Sequence, residues 1–289
     1  MSHRKTAAGP CLALILAVAM LLAADILTGC SDAKQLRVIG DPCERHDHCE
    51  STVCDEFVCK PCEQFECKPA SPYAAAVLAD KPIAYWRFGD STTPRAFDFS
   101  GNGYHGVYVV VNVSQPGAIL NDPNTSVQIT ASNDSEVGEF GGAFGFVGHQ
   151  PFSAELWFKP TQPHACLLGQ VDWDATAEKY KGWFLYYKST EITLRRSGTN
   201  VNAFVTVSTS EWTHVVATFD GVTAAMFVNG TQIVQRASRN PVAAISEPFL
   251  IGRMDNWQDY EGLIDEVALY EHALTPGRVL AHFKAGSGT

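Results

Sequence analysis

Trp212-Thr213-His214-Val215-Val216-Ala217-Thr218-Phe219-Asp220-Gly221-Val222-Thr223-Ala224-Ala225-Met226-Phe227-Val228-Asn229-Gly230 decides the fold class. It holds two runs of β-branched and aromatic residues, each closed by an Asx-Gly pair. Asp-Gly and Asn-Gly suit the positive-φ positions of a tight hairpin turn, so the stretch from Trp212 to Val234 predicts an antiparallel meander.

Working outward, the same texture extends over most of the chain. Ile83-Ala-Tyr-Trp-Arg-Phe88, Ala154-Glu-Leu-Trp-Phe158, Trp183-Phe-Leu-Tyr-Tyr187 and Leu263-Ile-Asp-Glu-Val-Ala-Leu-Tyr270 read as further strands. Gly, Asn, Asp and Pro clusters separate them at intervals of roughly ten residues, the signature of an all-β sandwich. Helix is confined to Tyr73–Leu78 and Pro276–His282. No segment repeats another at a fixed period, which argues against solenoids and propellers.

Successive segments then resemble the laminin-G-like, concanavalin A-like lectin/glucanase family, in the right order. These are Tyr73–Asp80, Ala84–Asp90, Asp98-Phe-Ser-Gly-Asn-Gly-Tyr-His-Gly106, Phe152-Ser-Ala-Glu-Leu-Trp-Phe-Lys-Pro160, Trp212–Gly221, Phe227-Val-Asn-Gly230, Ile251-Gly-Arg253 and Gly262–Tyr270. The resemblance spans about Ser71 to Phe283. It implies a two-sheet antiparallel jelly-roll sandwich over residues 71–285, with a concave face and rim loops that in relatives bind glycans or proteins. Fold alone does not transfer function.

The family often holds calcium at the sandwich edge, and the matching positions here are Asp98, Asn102 and Asp265. Calcium takes six to eight oxygens, which carboxylates and the carbonyls of a Gly-rich loop can supply. The competing reading makes Asp98 and Asn102 turn formers and Asp265 a partner of buried amides. A saccharide site needs aromatic faces and a few fixed polar groups. Trp173, Trp257 and Tyr260 lie in polar, loop-like stretches and are the candidate ligand contacts, whereas Tyr85, Trp86, Trp157, Trp183 and Trp212 sit in strands and are expected to pack.

Glucanases of this fold carry acids at alternate positions on one strand, so that two carboxyl groups face each other across the substrate. The corresponding segment, Phe152–Pro160, offers Glu155 alone, with Trp157 where the next acid belongs. Asp172-Trp-Asp174 looks like loop, a ligand or ion contact more than a dyad. His214 is expected to pack or to hydrogen-bond. No enzymatic activity is expected.

The N-terminus has a different character. His3, Arg4 and Lys5 precede an apolar run from Cys11 to Leu27 broken only by Asp25, the layout of a secretory signal over residues 1–29. The run is shorter than the ~20 apolar residues a membrane-spanning helix needs. Leu27-Thr-Gly-Cys30 resembles the lipobox of bacterial lipoproteins, which implies cleavage before Cys30, acylation of its thiol and a linker over residues 30–40. Cys43, Cys49, Cys54, Cys59, Cys62 and Cys67 crowd a mostly polar segment, 41–68, too small to bury a core. In an oxidising compartment they read as three disulfides of open connectivity; a zinc site with Cys59, Cys62, His46 and His48 is the rival. Cys166 is left as a buried free thiol.

The chain carries a formal net charge of −10, which argues against nucleic acid as a partner. These readings combine into a lipid-anchored protein of the bacterial cell envelope, facing periplasm or exterior, that binds a glycan or a surface protein. The alternatives are a polysaccharide hydrolase or lyase of the same fold and a structural envelope lipoprotein.

Overall fold

The computed structural model describes residues 54–55, 58–59, 71–90, 94–130, 136–138, 144–254 and 259–289. The chain divides into Met1–Lys68 and Pro69–Thr289. In the first unit the description covers a short antiparallel hairpin, β1 (Cys54–Asp55) and β2 (Val58–Cys59), with Cys54 and Cys59 as register partners. The signal segment, Cys30, the linker and Cys43, Cys49, Cys62 and Cys67 lie outside the described residues.

The second unit opens with α1 (Pro72–Ala79), whose N-cap Ser71 accepts the Ala74 amide and whose first turn holds a proline that has no amide to satisfy. The strands that follow are β3 (Ala84–Trp86), β4 (Arg95–Ala96), β5 (Gly106–Val109), β6 (Asn112–Pro116), β7 (Thr125–Ile129) and β8 (Glu136–Gly138). Next come β9 (Phe152–Pro160), β10 (His164–Asp174), β11 (Lys179–Lys188), β12 (Glu191–Arg196) and β13 (Thr199–Ala203). The last are β14 (Thr213–Phe219), β15 (Thr223–Val228), β16 (Thr231–Ala237), β17 (Phe249–Ile251) and β18 (Gly262–Tyr270). Helix α2 (Pro276–Ser287) closes the unit, capped by the Thr275 hydroxyl at one end and by a left-handed Gly288 at the other.

The strands form two antiparallel sheets. One runs β13-β12-β11-β10-β17-β8-β5-β4 and the other β16-β15-β14-β9-β18-β7-β6, with β3 also paired to β18. This is the expected jelly-roll sandwich. The meander is β14-β15-β16: the Asp220 carboxylate accepts the Val222 and Thr223 amides at 2.9 and 2.7 Å, and Gly221 takes φ 102°. The second turn places Asn229 and Gly230 at φ 49° and 75°, as a turn with both central residues left-handed requires.

Alternate residues of β9, namely Phe152, Ala154, Leu156 and Phe158, face the other sheet. They meet Trp183, Leu185 and Tyr187 of β11 together with Trp86, Phe144 and Phe249, and each large side chain fully buried there contributes about 1.5–3 kcal/mol. The opposite face of the β9 sheet is covered as well. Tyr73 and Val77 of α1 and Val279 of α2 pack on Trp157, Val216, Phe227 and Tyr270.

Glu155 lies on this second face, wholly buried. Its carboxylate accepts from the hydroxyls of Tyr73 and Tyr270, both at 3.0 Å, and meets His214 Nε2 at 2.8 Å and His282 Nδ1 at 3.0 Å. His282 Nε2 reaches Asp80 at 2.8 Å, so the cluster ties both helices to the sheet. Burial by itself would raise the Glu155 carboxyl, yet the two imidazoles hold it well below the usual carboxylate range.

Candidate functional site

The candidate site grows from the alternation along β11. Trp183, Leu185 and Tyr187 point into the sandwich, which leaves Tyr180, Phe184 and Tyr186 on the opposite face of the sheet. Antiparallel register partners share a face, so the neighbouring strands complete two cross-strand rows. One row is Cys166, Tyr186, Thr193 and Asn202; the next is Gly169, Phe184, Arg195 and Asn200. Further along β10 and β11, Trp173 faces Tyr180.

The rings form a continuous series. Trp173 and Tyr180 have centroids 4.7 Å apart, Tyr180 and Phe184 5.5 Å, and Phe184 and Tyr186 5.6 Å. Gly169 makes the close approach between strands feasible, because a Cβ there would stand 2.4 Å from the Phe184 Cβ. Exposure grades along the series: Tyr186 and Phe184 are buried, with Met254 and Cys166 against them, while Trp173 is 41% exposed. Burial pushes the Cys166 thiol up, and its Sγ donates to the Leu185 carbonyl at 3.5 Å, so it is a packed thiol and not a nucleophile.

Polar groups flank the rings. The Arg195 guanidinium lies 5.5 Å from the Tyr180 centroid and the Lys188 ammonium 5.8 Å from that of Tyr186. Glu191 is held between Lys188, at 3.1 Å, and the Asn202 amide, at 2.9 Å. Thr193 Oγ1, Arg195 Nε and Asn200 Oδ1 are buried without a hydrogen-bond partner.

Among the described residues, Trp173 is the one expected ligand contact that belongs to this surface. It stands on β10 itself: Asp172 to Asp174 continue the strand where the sequence suggested loop, because each pairs with a residue of β11. Asp174 is occupied by Lys181 at 3.0 Å and by the Thr176 and Ala177 amides, which makes it the turn former of the β10–β11 hairpin. Trp257 lies outside the described residues.

Tyr260 corrects the expectation of an exposed ring. It is fully buried, packs edge-on to Tyr187 at 6.2 Å and donates its hydroxyl to the Leu263 carbonyl at 2.8 Å. Its polar neighbours concealed this. The Tyr260 amide bonds Gly252 and the Glu261 carbonyl bonds the Thr161 amide, which turns the phenol inward while Glu261 stays nearer solvent.

The three residues matched to a calcium site are each engaged by hydrogen bonds within the protein, and Asp98 and Asn102 share the Ser100 hydroxyl. Asp98 accepts the amides of Tyr85, Ser100 and Tyr104 and the Ser100 hydroxyl, at 2.8 to 3.0 Å. Asn102 turns its amide nitrogen, a donor, toward the Ile83 carbonyl at 3.0 Å. Asp265 is buried on β18, where Oδ2 accepts the Ala118 amide at 2.8 Å and Oδ1 has no partner. Burial and then the adjacent Glu266 carboxylate push its carboxyl well above the usual range. Tyr85 links Asp98 to Glu266, its amide on the first and its hydroxyl on the second. These bonds suit turn and strand roles, and among the described residues there is no group of three or more His, Cys, Asp or Glu that could hold a metal.

The sequence pointed to Trp173 but missed Tyr180, Phe184, Tyr186, Thr193, Arg195 and Asn200. The available signal was in Tyr180-Lys-Gly-Trp-Phe-Leu-Tyr-Tyr187, where aromatic residues occupy both phases of the strand. Two-phase aromaticity means that both faces carry rings.

Residues 121–280 match the family model Laminin_G_3, concanavalin A-like lectin/glucanases superfamily. No curated protein sequence matches the chain. Among solved structures, the binding domain of Paraclostridial Mosquitocidal Protein 1 is similar at 16% identity and TM-score 0.51, over 72% of this chain and 52% of that one. The botulinum neurotoxin serotype D binding domain is similar at 13% identity and TM-score 0.50, again over 72% and 52%. Domain 4 of AbnA, a GH43 extracellular arabinanase from Geobacillus stearothermophilus in complex with arabinotriose, aligns at 20% identity and TM-score 0.48, over 70% and 98%. At such identities the likeness is one of fold, and the chain spans about half the length of the toxin binding domains it matches. With two antiparallel sheets in place and more than half of its residues matched by the family model, the chain belongs to the concanavalin A-like lectin/glucanases superfamily.

Proposed function

We propose that the sandwich is a binding module whose ligand is a glycan that stacks on the exposed Trp173 and the half-buried Tyr180 beside it. The observation that carries this reading is the exposed Trp173 held against Tyr180 at 4.7 Å, a pair set on the sheet by the buried rings of Phe184 and Tyr186 behind it. Sugar rings present apolar C–H faces that stack on aromatic side chains, while a few fixed polar groups at the edge select their hydroxyls. Binding is also the role for which the toxin domains of this fold are named. A lipid anchor at Cys30 would display the module on the bacterial envelope, where polysaccharide is abundant. Glu155, which the sequence offered as the isolated acid of its strand, lies under the helices, bonded on all sides.

A glycan array probed with the whole exported protein tests the proposal. Trp173→Ala should weaken binding to whichever glycan is retained by about tenfold, or ~1.4 kcal/mol. Val222→Ala, which trims a side chain 62% exposed in the β14–β15 turn of the other sheet, should leave it unchanged. Equal affinity of Trp173→Ala and wild type would place the ligand elsewhere.

A further inference from the structure

We infer that the Trp173 site engages one sugar residue at a time, so that its ligand class is a soluble, single-chain glycan and not the flat face of a crystalline polysaccharide. This rests on the glycan reading above and adds the physical class of the ligand. A crystalline polysaccharide presents its sugars in one plane, and a protein surface that adsorbs to it needs several exposed rings in a matching plane. A groove for an extended chain likewise needs rings spaced along it, each open to its own sugar.

The rings of this face meet neither requirement. Trp173 and Tyr180 are inclined at 59°, Tyr180 and Phe184 at 70°, and Phe184 and Tyr186 at 36°, so no two neighbours share a plane. At 4.7 Å the Trp173 and Tyr180 rings touch, which leaves no space for a sugar between them. A sugar stacked on the indole is therefore tilted away from the phenol, which backs the indole from the side. Exposure points the same way. Phe184 and Tyr186 are buried, Tyr180 is half-buried with the Arg195 guanidinium 5.5 Å from its centroid, and Trp173 alone of the four is exposed, at 41%.

Strand register supplies the cause. Asp172, Trp173 and Asp174 of β10 pair with Lys181, Tyr180 and Lys179 of β11. Beside them, β17 follows β10 only as far as Gln170, and β12 follows β11 only as far as Trp183. Among the described residues no third strand pairs with these three positions, so the hairpin outreaches its neighbours by about 10 Å at ~3.3 Å per residue. Adjoining strands thus offer no register position for a further ring next to Trp173. Two-stranded ribbons also twist more strongly than the interior of a sheet, which carries the Trp173 and Tyr180 rings out of the plane of those behind them. The Asp174 carboxylate, bonded to Lys181 and to the Thr176 and Ala177 amides, fixes the turn that closes the ribbon.

Two measurements on the whole exported protein test this. Calorimetric titration uses gluco-, xylo-, arabino- and N-acetylglucosamine oligosaccharides of graded length, and sedimentation measures retention on microcrystalline cellulose and crystalline chitin. For any sugar that binds, affinity per sugar residue should stay constant within about twofold from disaccharide to hexasaccharide, because added residues find no second ring. Trp173→Ala should weaken the disaccharide and the hexasaccharide by the same factor, about tenfold, with the melting temperature of the variant reporting its folding. Neither solid should retain the protein. A hexasaccharide bound more than about tenfold better per residue than the disaccharide reveals an extended groove and overturns the inference while the glycan reading stands. Retention on either solid that Trp173→Ala abolishes reveals a planar platform and overturns it in the same way. Failure of every oligosaccharide and both solids to bind removes the glycan reading itself.

Discussion

At the scale of single residues, Thr193 on β12 carries a desolvation cost that the fold does not offset. Its hydroxyl is buried without a partner, so desolvation is unrelieved in the free protein. Thr193→Val keeps the branched shape and removes the oxygen. We expect it to stabilise the fold by about 1 kcal/mol, which raises the melting temperature by roughly 2–4 °C in a domain of this size. Scanning calorimetry measures the shift. A loss of stability would mean that the hydroxyl is satisfied by ordered water. The sequence did not reveal this position, because a threonine in a β-strand is ordinary and the lack of a partner exists only once β11, β12 and β13 are side by side. Tyr260 failed for the converse reason: flanking polar residues suggest exposure, while the turn between Gly252 and Thr161 determines that the ring goes inward.

At the scale of elements, whatever rested on local turn chemistry was legible. Asp220-Gly221 and Asn229-Gly230 specify the β14-β15-β16 meander by backbone conformation alone, before any tertiary contact forms. The β10–β11 hairpin was misread at Asp172 to Asp174 because its strands are joined by a polar turn, and the strand ends are themselves charged. The covering helices depend on Glu155 and His282, whose pairing no local pattern announces. Burial alone would lower the His282 imidazole, but Glu155 and Asp80 raise it above its ordinary 6.5. The stability it contributes is therefore fully present below pH 6.5 and is lost as pH rises through the folded-state value. The opposite holds for Glu155, whose contribution is present above its ordinary 4.5 and is lost in more acidic solution. We expect the gap in melting temperature between wild type and His282→Gln to be widest between pH 4.5 and 6.5 and to narrow on the alkaline side. Taking the difference between the two proteins cancels Asp90, whose carboxyl is raised by burial to about 6 and titrates in both. A gap independent of pH would mean that His282 acts through shape alone.

At the scale of the whole molecule, the chain joins a sandwich unit to an N-terminal segment of different chemistry, and the two make separable predictions. Residues Pro69–Thr289 form their own compact unit with their own core, so their melting should be indifferent to what becomes of residue 30. Membrane attachment should depend on that residue. The lipobox resemblance of Leu27-Thr28-Gly29-Cys30 implies a diacylglycerol on the thiol, and two acyl chains at about 0.8 kcal/mol per buried methylene hold a protein at a bilayer where one chain is marginal. Cys30→Ser removes the acceptor thiol and retains the apolar run before it. We expect wild type to enter the detergent phase and to incorporate labelled fatty acid, and Cys30→Ser to do neither while its sandwich melts at the same temperature. If the variant still partitions with detergent, the apolar run of residues 11–27 is retained and acts as the anchor. If wild type itself stays in the aqueous phase, the thiol of Cys30 carries no lipid and the anchor reading fails.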